Sequence, residues 1–267
     1  MKTLAIVIPV YNEQERLVKT FKALTKLQLP RGLKLDKVIF VDDGSTDLST
    51  SEITKFIARN KKKISCQLII NKKNNGRGYV LRQGIALSQS DFTLYCDVDM
   101  STPFSELNKF NKHMQLGKPV IIGTRKNGIS TVVKHQPLYR EILGRLYTKL
   151  SNVILGTSVT DFTCGFKAFS FDAKVELLKN TKMDRWGFDA EIIYLAARNQ
   201  YAIVEIPVVW SDDSRSKVNI WRDIPISFYE LILIRINELT DLYSSLKTNT
   251  RIAPVLEFVR NIKTYLF

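Results

Sequence analysis

The sequence predicts an α/β domain built on a mostly parallel sheet with helices on both faces. Apolar, β-branched runs recur through the first half, at residues 4–10, 37–41, 67–70, 92–96 and 120–123. Stretches with helical spacing separate them. Continuous apolar strands alternating with helices imply a sheet buried on both sides. Composition agrees: 45% apolar and 25% charged residues are ordinary for a globular chain of 267 residues. With 12 Gly and 8 Pro, collagen, disorder and long flexible linkers are poor readings.

The helices follow in order. Leu17, Phe21, Leu24 and Leu27 keep the i, i+4, i+7 spacing of one face. Ile53, Phe56 and Ile57 repeat it, and Val80, Leu81, Ile85 and Leu87 do so more loosely. In the second half, residues 139–155 and 188–197 read as helices, and residues 166–169 and 203–209 as strands. Tyr229, Ile232, Leu233, Ile236, Leu239 and Tyr243 share one helical face. Ile252, Val255, Leu256, Val259, Ile262 and Leu266 share another, with Pro254 near its start. No repeat or low-complexity tract stands out. The expected division is an α/β domain over residues 1–221 and amphipathic helices over residues 222–267, covered by a membrane interface, the core or a second copy in a homodimer.

Forty Lys and Arg stand against 26 Asp and Glu, a net charge of +14. That sign favours polyanions: nucleic acid, anionic lipid or phosphorylated small molecules. Cys66, Cys96 and Cys164 are far apart, and His113 and His135 lie near no CxxC pair. A disulfide framework and a zinc site are not expected. No window reaches 18 uncharged apolar residues, and the opening apolar run is too short for a signal peptide. The expectation is a protein on the cytoplasmic side.

In a parallel sheet ligands bind beyond the carboxyl ends of the strands. Those ends read Pro9-Val10-Tyr11-Asn12-Glu13, Asp42-Asp43-Gly44-Ser45-Thr46-Asp47, Asn75-Gly76-Arg77-Gly78, Asp97-Val98-Asp99 and Gly123-Thr124-Arg125. Two carboxylates two residues apart repel unless a cation lies between them. Oxygen ligands suit Mg²⁺ or Mn²⁺. A solvated acidic loop is the competing explanation. Asp47 or Ser45 reads as a helix cap, with Asp43 facing a base or ribose and Tyr11 offering a ring face. The glycine turn at residues 75–78 suits phosphate or simply a tight bend. No GxGxxG follows the first strand, which argues against dinucleotide hydride chemistry.

These strand ends, in this order, resemble glycosyltransferase family 2. Further blocks extend the likeness toward polyprenyl-phosphate glycosyltransferases, nearer the dolichyl-phosphate glucose than the mannose branch. They are residues 161–169, with Asp161 and Cys164-Gly165-Phe166-Lys167; residues 185–191, Arg185-Trp186-Gly187-Phe188-Asp189-Ala190-Glu191; Glu205-Ile206-Pro207-Val208-Val209-Trp210; and Ser216-Lys217-Val218. The resemblance implies a GT-A fold, a UDP-sugar donor, a Mg²⁺ or Mn²⁺ cofactor and a polyprenyl phosphate acceptor. It implies that Pro9, Tyr11, Glu13, Val41, Asp43, Arg77, Asp97, Val98, Asp99 and Arg125 hold the nucleotide sugar. It assigns the metal to Asp99 and Ser101, and catalysis to Asp97, Asp99, Asp161, Arg125 and Lys217. Arg125, Arg215 and Lys217 would meet the acceptor phosphate. Arg215 replaces the family's usual Gly, and Val98 and Met100 are bulkier than usual.

The family reaction is an inverting in-line displacement. A phosphomonoester acceptor has a second pKa of about 6 and needs no general base, so positioning and charge compensation are the protein's tasks. Between Leu107 and Thr160 there are nine Lys and Arg and one acid, Glu141. Helix 139–155 sets Arg140, Arg145 and Lys149 beside Leu143, Leu146, Leu150 and Ile154, a pattern suited to peripheral docking on a membrane. Competing readings are a GDP-mannose donor, a saccharide or protein hydroxyl acceptor, and a nucleic-acid-binding module. The acidic strand ends oppose the last, so no nucleic acid partner is expected.

Overall fold

The computed structural model describes residues 1–126, 128–213, 215 and 220–243. Lys217 and the expected helix carrying Ile252 to Leu266 lie outside the described residues. The strands are β1 (Lys2–Val10), β2 (Leu33–Asp42), β3 (Cys66–Ile70), β4 (Phe92–Cys96), β5 (Val120–Thr124), β6 (Thr131–Lys134), β7 (Phe166–Ser170), β8 (Ile203–Pro207) and β9 (Val209–Ser211). The α-helices are α1 (Gln14–Thr25), α2 (Ser49–Asn60), α3 (Arg77–Leu87), α4 (Leu107–Gln115), α5 (Leu138–Leu155), α6 (Phe171–Asn180), α7 (Phe188–Arg198) and α8 (Ile220–Leu239).

Seven strands form one sheet in the order β3-β2-β1-β4-β7-β5-β8, and β6 pairs with β9 in a second, two-stranded sheet. Strands β1 to β4 run parallel, as do β5 and β8. Strand β7 runs against both β4 and β5. Its direction matters for the cleft described below. The start of β7 meets the end of β4, with Cys96 opposite Phe166.

The side-chain period of two sorts each strand between two cores. Leu4, Ile6, Ile8, Val38, Phe40, Leu94 and Cys96 pack under α1, α2 and α4. Val7, Ile39, Val41, Tyr95 and Ile122 pack under α3, α5, α6, α7 and α8. Phe21 stacks on Phe56, ring centroids 4.3 Å apart, joining α1 to α2.

The second half departs from the sequence reading in detail. Residues 203–209, expected as one strand, divide at Val208 into β8 and β9, which belong to different sheets. Helices α4 and α6 and the exposed strand β6 are absent from the sequence reading, although Leu107, Phe110 and Met114 of α4 keep the spacing of one buried helical face. Helix α8 ends at Leu239, and Asp241 turns at φ +56°. Tyr243, expected on that helical face, lies beyond the turn. Residues 221 and 222, the expected domain boundary, fall inside α8. Its Leu231 and Ile234 are fully buried in the same core as α7, and Phe228 meets Tyr147 of α5 edge-on at 5.7 Å.

Tyr243 is anchored by Glu191 of α7, to which its hydroxyl donates at 2.7 Å. The same fully buried carboxyl accepts the backbone N–H groups of Lys182 and Met183 at 2.9 Å. Burial pushes Glu191 up from 4.5 to about 7, against the pull of those donors. The folded chain therefore holds a proton that the unfolded chain releases near pH 4.5. The stability this gives is complete below pH 4.5 and is lost as pH rises through 7. Thermal melts should show Glu191→Gln with a flatter fall in Tm between pH 4.5 and 7 than the parent chain; parallel curves would refute this.

Candidate active site

A cleft of about 790 Å³ opens beyond the carboxyl ends of β1, β2, β4 and β5. Pro9, Tyr11 and Glu13 enter it from the end of β1, and Asp43 from the end of β2. Two loops lock this side. Asn12, at φ +55°, accepts the Thr46 N–H on its Oδ1 at 2.7 Å, and the Asn12 N–H donates to Ser45 Oγ at 2.8 Å. Asp42 is spent on structure, accepting the Ser45 N–H at 2.9 Å and the Thr50 hydroxyl of α2. Asp47 accepts the Ser49 N–H at 2.9 Å at the start of α2.

Asp43 accepts the N–H groups of Asn75 and Gly76, both at 2.8 Å. Burial raises its pKa despite those bonds. The carboxylate thus fixes the glycine turn that leads into α3. Gly76 adopts φ +107°, and a Cβ there would sit 2.4 Å from the Asp184 carbonyl oxygen, so only glycine fits. Arg77 follows directly and is aimed back at the end of β4.

After β4 the chain alternates. Asp97 and Asp99 line the cleft, while Val98 and Met100 bury their side chains in the core beside α1. The bulk of Val98 and Met100 is thus absorbed by the core. Met100 takes φ +51°, and its N–H donates to the Asp97 carbonyl at 3.2 Å, closing the turn. Arg77 Nη2 donates to Asp97 Oδ1 at 2.6 Å, and Arg16 Nη2 to Asp99 Oδ2 at 2.5 Å. The Ser101 N–H donates to the other Asp99 oxygen at 2.9 Å. The antiparallel β7 supplies the floor: a Cβ on Gly165 would lie 1.8 Å from Asp97 Oδ2. Only a glycine leaves room for that carboxylate.

Across the cleft stand Arg125 and Lys126, just past β5. Asp161 holds both from beneath, with no exposed surface. Arg125 Nε and Nη2 donate to its two oxygens at 2.7 and 2.9 Å. The Arg125 guanidinium also lies over Trp210, 5.2 Å from the ring centre. Lys126 Nζ lies 3.4 Å from Asp161 and donates to Gly144 O and Thr148 Oγ1 of α5, each at 2.9 Å. Burial opposes ionisation of Asp161, and the two cations overcome it, holding the carboxyl well below the usual range. Asp189 is compensated in the same way: burial is outweighed by Lys167 at 2.5 Å and Arg77 at 3.3 Å. It also accepts the Tyr95 hydroxyl.

The cleft therefore gathers Pro9, Tyr11, Glu13, Asp43, Arg77, Asp97, Val98, Asp99, Ser101 and Arg125 from the sequence reading. Three expectations are corrected. Val41 is fully buried on the α3 face, sharing strand parity with Ile39. Asp161 lies under Arg125 and does not line the cleft. Arg215 is exposed and folded onto Asp213, its Nε and Nη2 donating at 2.9 and 2.6 Å. The sequence reading missed Arg16, Lys126, Asp213, Trp186 and Trp210 as lining residues. Arg16 could have been found as the i+3 partner of Glu13, whose carboxylate it meets at 2.8 Å. For Lys126 and Asp213 there was no local signal.

Among the described residues no three His, Cys, Asp or Glu side chains gather into a metal nest. The donors on offer are the carboxylates of Asp97 and Asp99 with the Ser101 hydroxyl at the same cleft wall. That oxygen set fits a hard divalent cation. Burial raises the pKa of Asp97, with Asp99 and Asp189 adding to it against the pull of Arg77.

The family model described as Glycosyl transferase family 2 matches residues 5–178. The dolichyl-phosphate beta-glucosyltransferase of Homo sapiens is 30% identical over 252 residues, covering 90% of this chain and 76% of that protein. That of Saccharomyces cerevisiae is 30% identical over 258 residues, with the same coverage. Among solved structures, glucosyl-3-phosphoglycerate synthase from Mycobacterium tuberculosis, in complex with Mn²⁺, UDP and phosphoglyceric acid, superposes with a TM-score of 0.67 at 14% identity. It covers 88% of this chain and 78% of its own. S. aureus TarS 1–349 gives a TM-score of 0.58 at 18% identity, over 92% and 67%.

Removing the Asp161 charge leaves two half-buried cations without their carboxylate partner. Asp161→Asn should cost about 3 kcal/mol in urea unfolding. A change within experimental error would show that Arg125 and Lys126 find other partners.

Proposed function

The chain belongs to glycosyl transferase family 2 and is a glycosyltransferase of GT-A fold, and we propose that it moves glucose from UDP-glucose to a polyprenyl phosphate with inversion. The observation that supports this most is the facing of two charge sets in one cleft. Asp97 and Asp99 stand on one wall and Arg125 with Lys126 on the other. Two anions must meet there, the sugar diphosphate and the acceptor phosphate. The relatives named dolichyl-phosphate beta-glucosyltransferase, at 30% identity over most of the chain, support the choice of sugar and lipid.

On this reading Asp43 and Tyr11 hold the nucleoside at the β1 and β2 ends. Asp97, Asp99 and Ser101 hold Mg²⁺ or Mn²⁺, which when bound neutralises charge on the departing diphosphate. Arg125, kept cationic and fixed by Asp161, draws the acceptor phosphate toward the sugar, with Lys126 held beside it. The carboxylates of Asp97, Asp99, Asp161 and Asp189 are each engaged by Arg or Lys, which makes them poor general bases. A phosphomonoester, dianionic above a pKa of about 6, needs none.

The acceptor would be taken from a membrane surface. No described helix is long and apolar enough to cross a membrane. Leu138, Tyr139, Ile142 and Leu146 are exposed on α5, beside Arg140 and Arg145, which line the cleft mouth. Such a face suits an anionic leaflet.

A panel of nucleotide sugars offered with polyprenyl phosphate tests the reaction. UDP-glucose should be consumed first, and Gly165→Ala, by pushing Asp97 aside, should lower turnover about 100-fold with little change in Tm. Preference for GDP-mannose, or turnover with a saccharide hydroxyl and none with the lipid phosphate, would overturn it. Flotation should show the chain rising with vesicles containing anionic lipid and not with neutral ones; equal behaviour would contradict membrane docking.

A further inference from the structure

We infer that Arg16 is a resident counter-ion for Asp99, which must release that carboxylate before a divalent cation is held there. The inference rests on the reading above that Asp99 is a metal ligand. Arg16 stands in the first turn of α1, 9% exposed, and lines the cleft. Its Nη1 donates to both oxygens of Glu13, at 2.8 and 3.0 Å, and its Nη2 to Asp99 Oδ2 at 2.5 Å. With the Ser101 N–H on the other oxygen, both Asp99 oxygens carry a donor.

A second resting place is already built. Arg16 Nε is buried without a hydrogen-bond partner, an arrangement that costs free energy. Asp213 Oδ2, which also accepts Arg215 Nη2 at 2.6 Å, lies 3.9 Å from that atom. A small swing toward Asp213 would satisfy Nε and uncover Asp99, while Glu13 keeps its hold on Nη1. One guanidinium thus serves three carboxylates, Glu13, Asp99 and Asp213, and can exchange one for another without leaving the cluster.

The consequence is an order of binding. A free divalent cation must compete with a charge-assisted hydrogen bond and is repelled by the guanidinium beside it. A cation arriving with a nucleoside diphosphate brings negative charge that compensates both. Arg16 therefore compensates Asp99 between turnovers, as Arg77 does Asp97, and makes cation uptake depend on the donor.

Mn²⁺ titration of the full chain, followed by electron paramagnetic resonance of the free ion, tests this without turnover. In the absence of nucleotide, Arg16→Gln should bind Mn²⁺ about tenfold more tightly than the parent chain, the worth of one charged hydrogen bond. The gap should close when UDP is present. Arg16→Lys, which keeps the charge but cannot bridge Glu13 and Asp99 together, should fall between; it also serves if the Gln variant folds poorly. Unchanged or weaker Mn²⁺ binding in a folded Arg16→Gln overturns the inference. Asp99→Ala separates the two levels. If it abolishes UDP-dependent Mn²⁺ binding while Arg16→Gln changes nothing, only the counter-ion role fails. If Mn²⁺ binding survives Asp99→Ala, the assignment of Asp99 as ligand fails with it.

Discussion

The cleft depends on pairing carboxylates that a folded chain could not otherwise gather. Asp97, Asp99, Asp161 and Asp189 lie at or beneath the carboxyl edge of one sheet, and each meets an arginine or lysine at 2.7 Å or closer. An isolated buried charge of this kind would be neutralised or would unfold its surroundings. The pairing sets the form of the site. Acids line the cleft after β4 with Arg16 and Arg77 upon them, and Arg125 and Lys126 line it after β5 with Asp161 beneath.

Sheet direction decides which groups meet. Strand β7 enters against β4, and this places Gly165 under the Asp97 carboxylate and Lys167 beside Asp189. A parallel strand in that position would bring its other end to the cleft. The glycine is required by the 1.8 Å approach of Asp97, not by any turn. Lys126 does comparable work for the opposite wall, tying the end of β5 to Gly144 and Thr148 of α5.

Strand ends were readable because chemistry in a parallel sheet collects at one edge, and five apolar runs located that edge before any coordinates. Asp97, Asp99, Arg77 and Arg125 could be named for that reason. Val41 could not be placed correctly without the pleat: it falls on the α3 face with Ile39, one residue out of phase with Phe40. The pairing of Arg16 with Asp99 escaped notice because the two lie 83 residues apart, and Lys126 because its partners Gly144, Thr148 and Asp161 lie on later segments. Arg215 was misread because its partner is too close: Asp213, two residues away, captures its guanidinium. The exposed strand β6 has no apolar alternation to betray it, since its pairing is with β9 rather than with the core.

The central claim is that the acidic turn after β4 receives a cation together with the diphosphate of a nucleotide sugar. Crystals grown with Mn²⁺ and UDP, measured at a wavelength sensitive to manganese, test it directly. The account predicts one anomalous peak coordinated by Asp99 and bridged to the UDP diphosphate, with Arg16 drawn off that carboxylate. UDP bound in the cleft with no such peak, and both arginines still on Asp97 and Asp99, would contradict it.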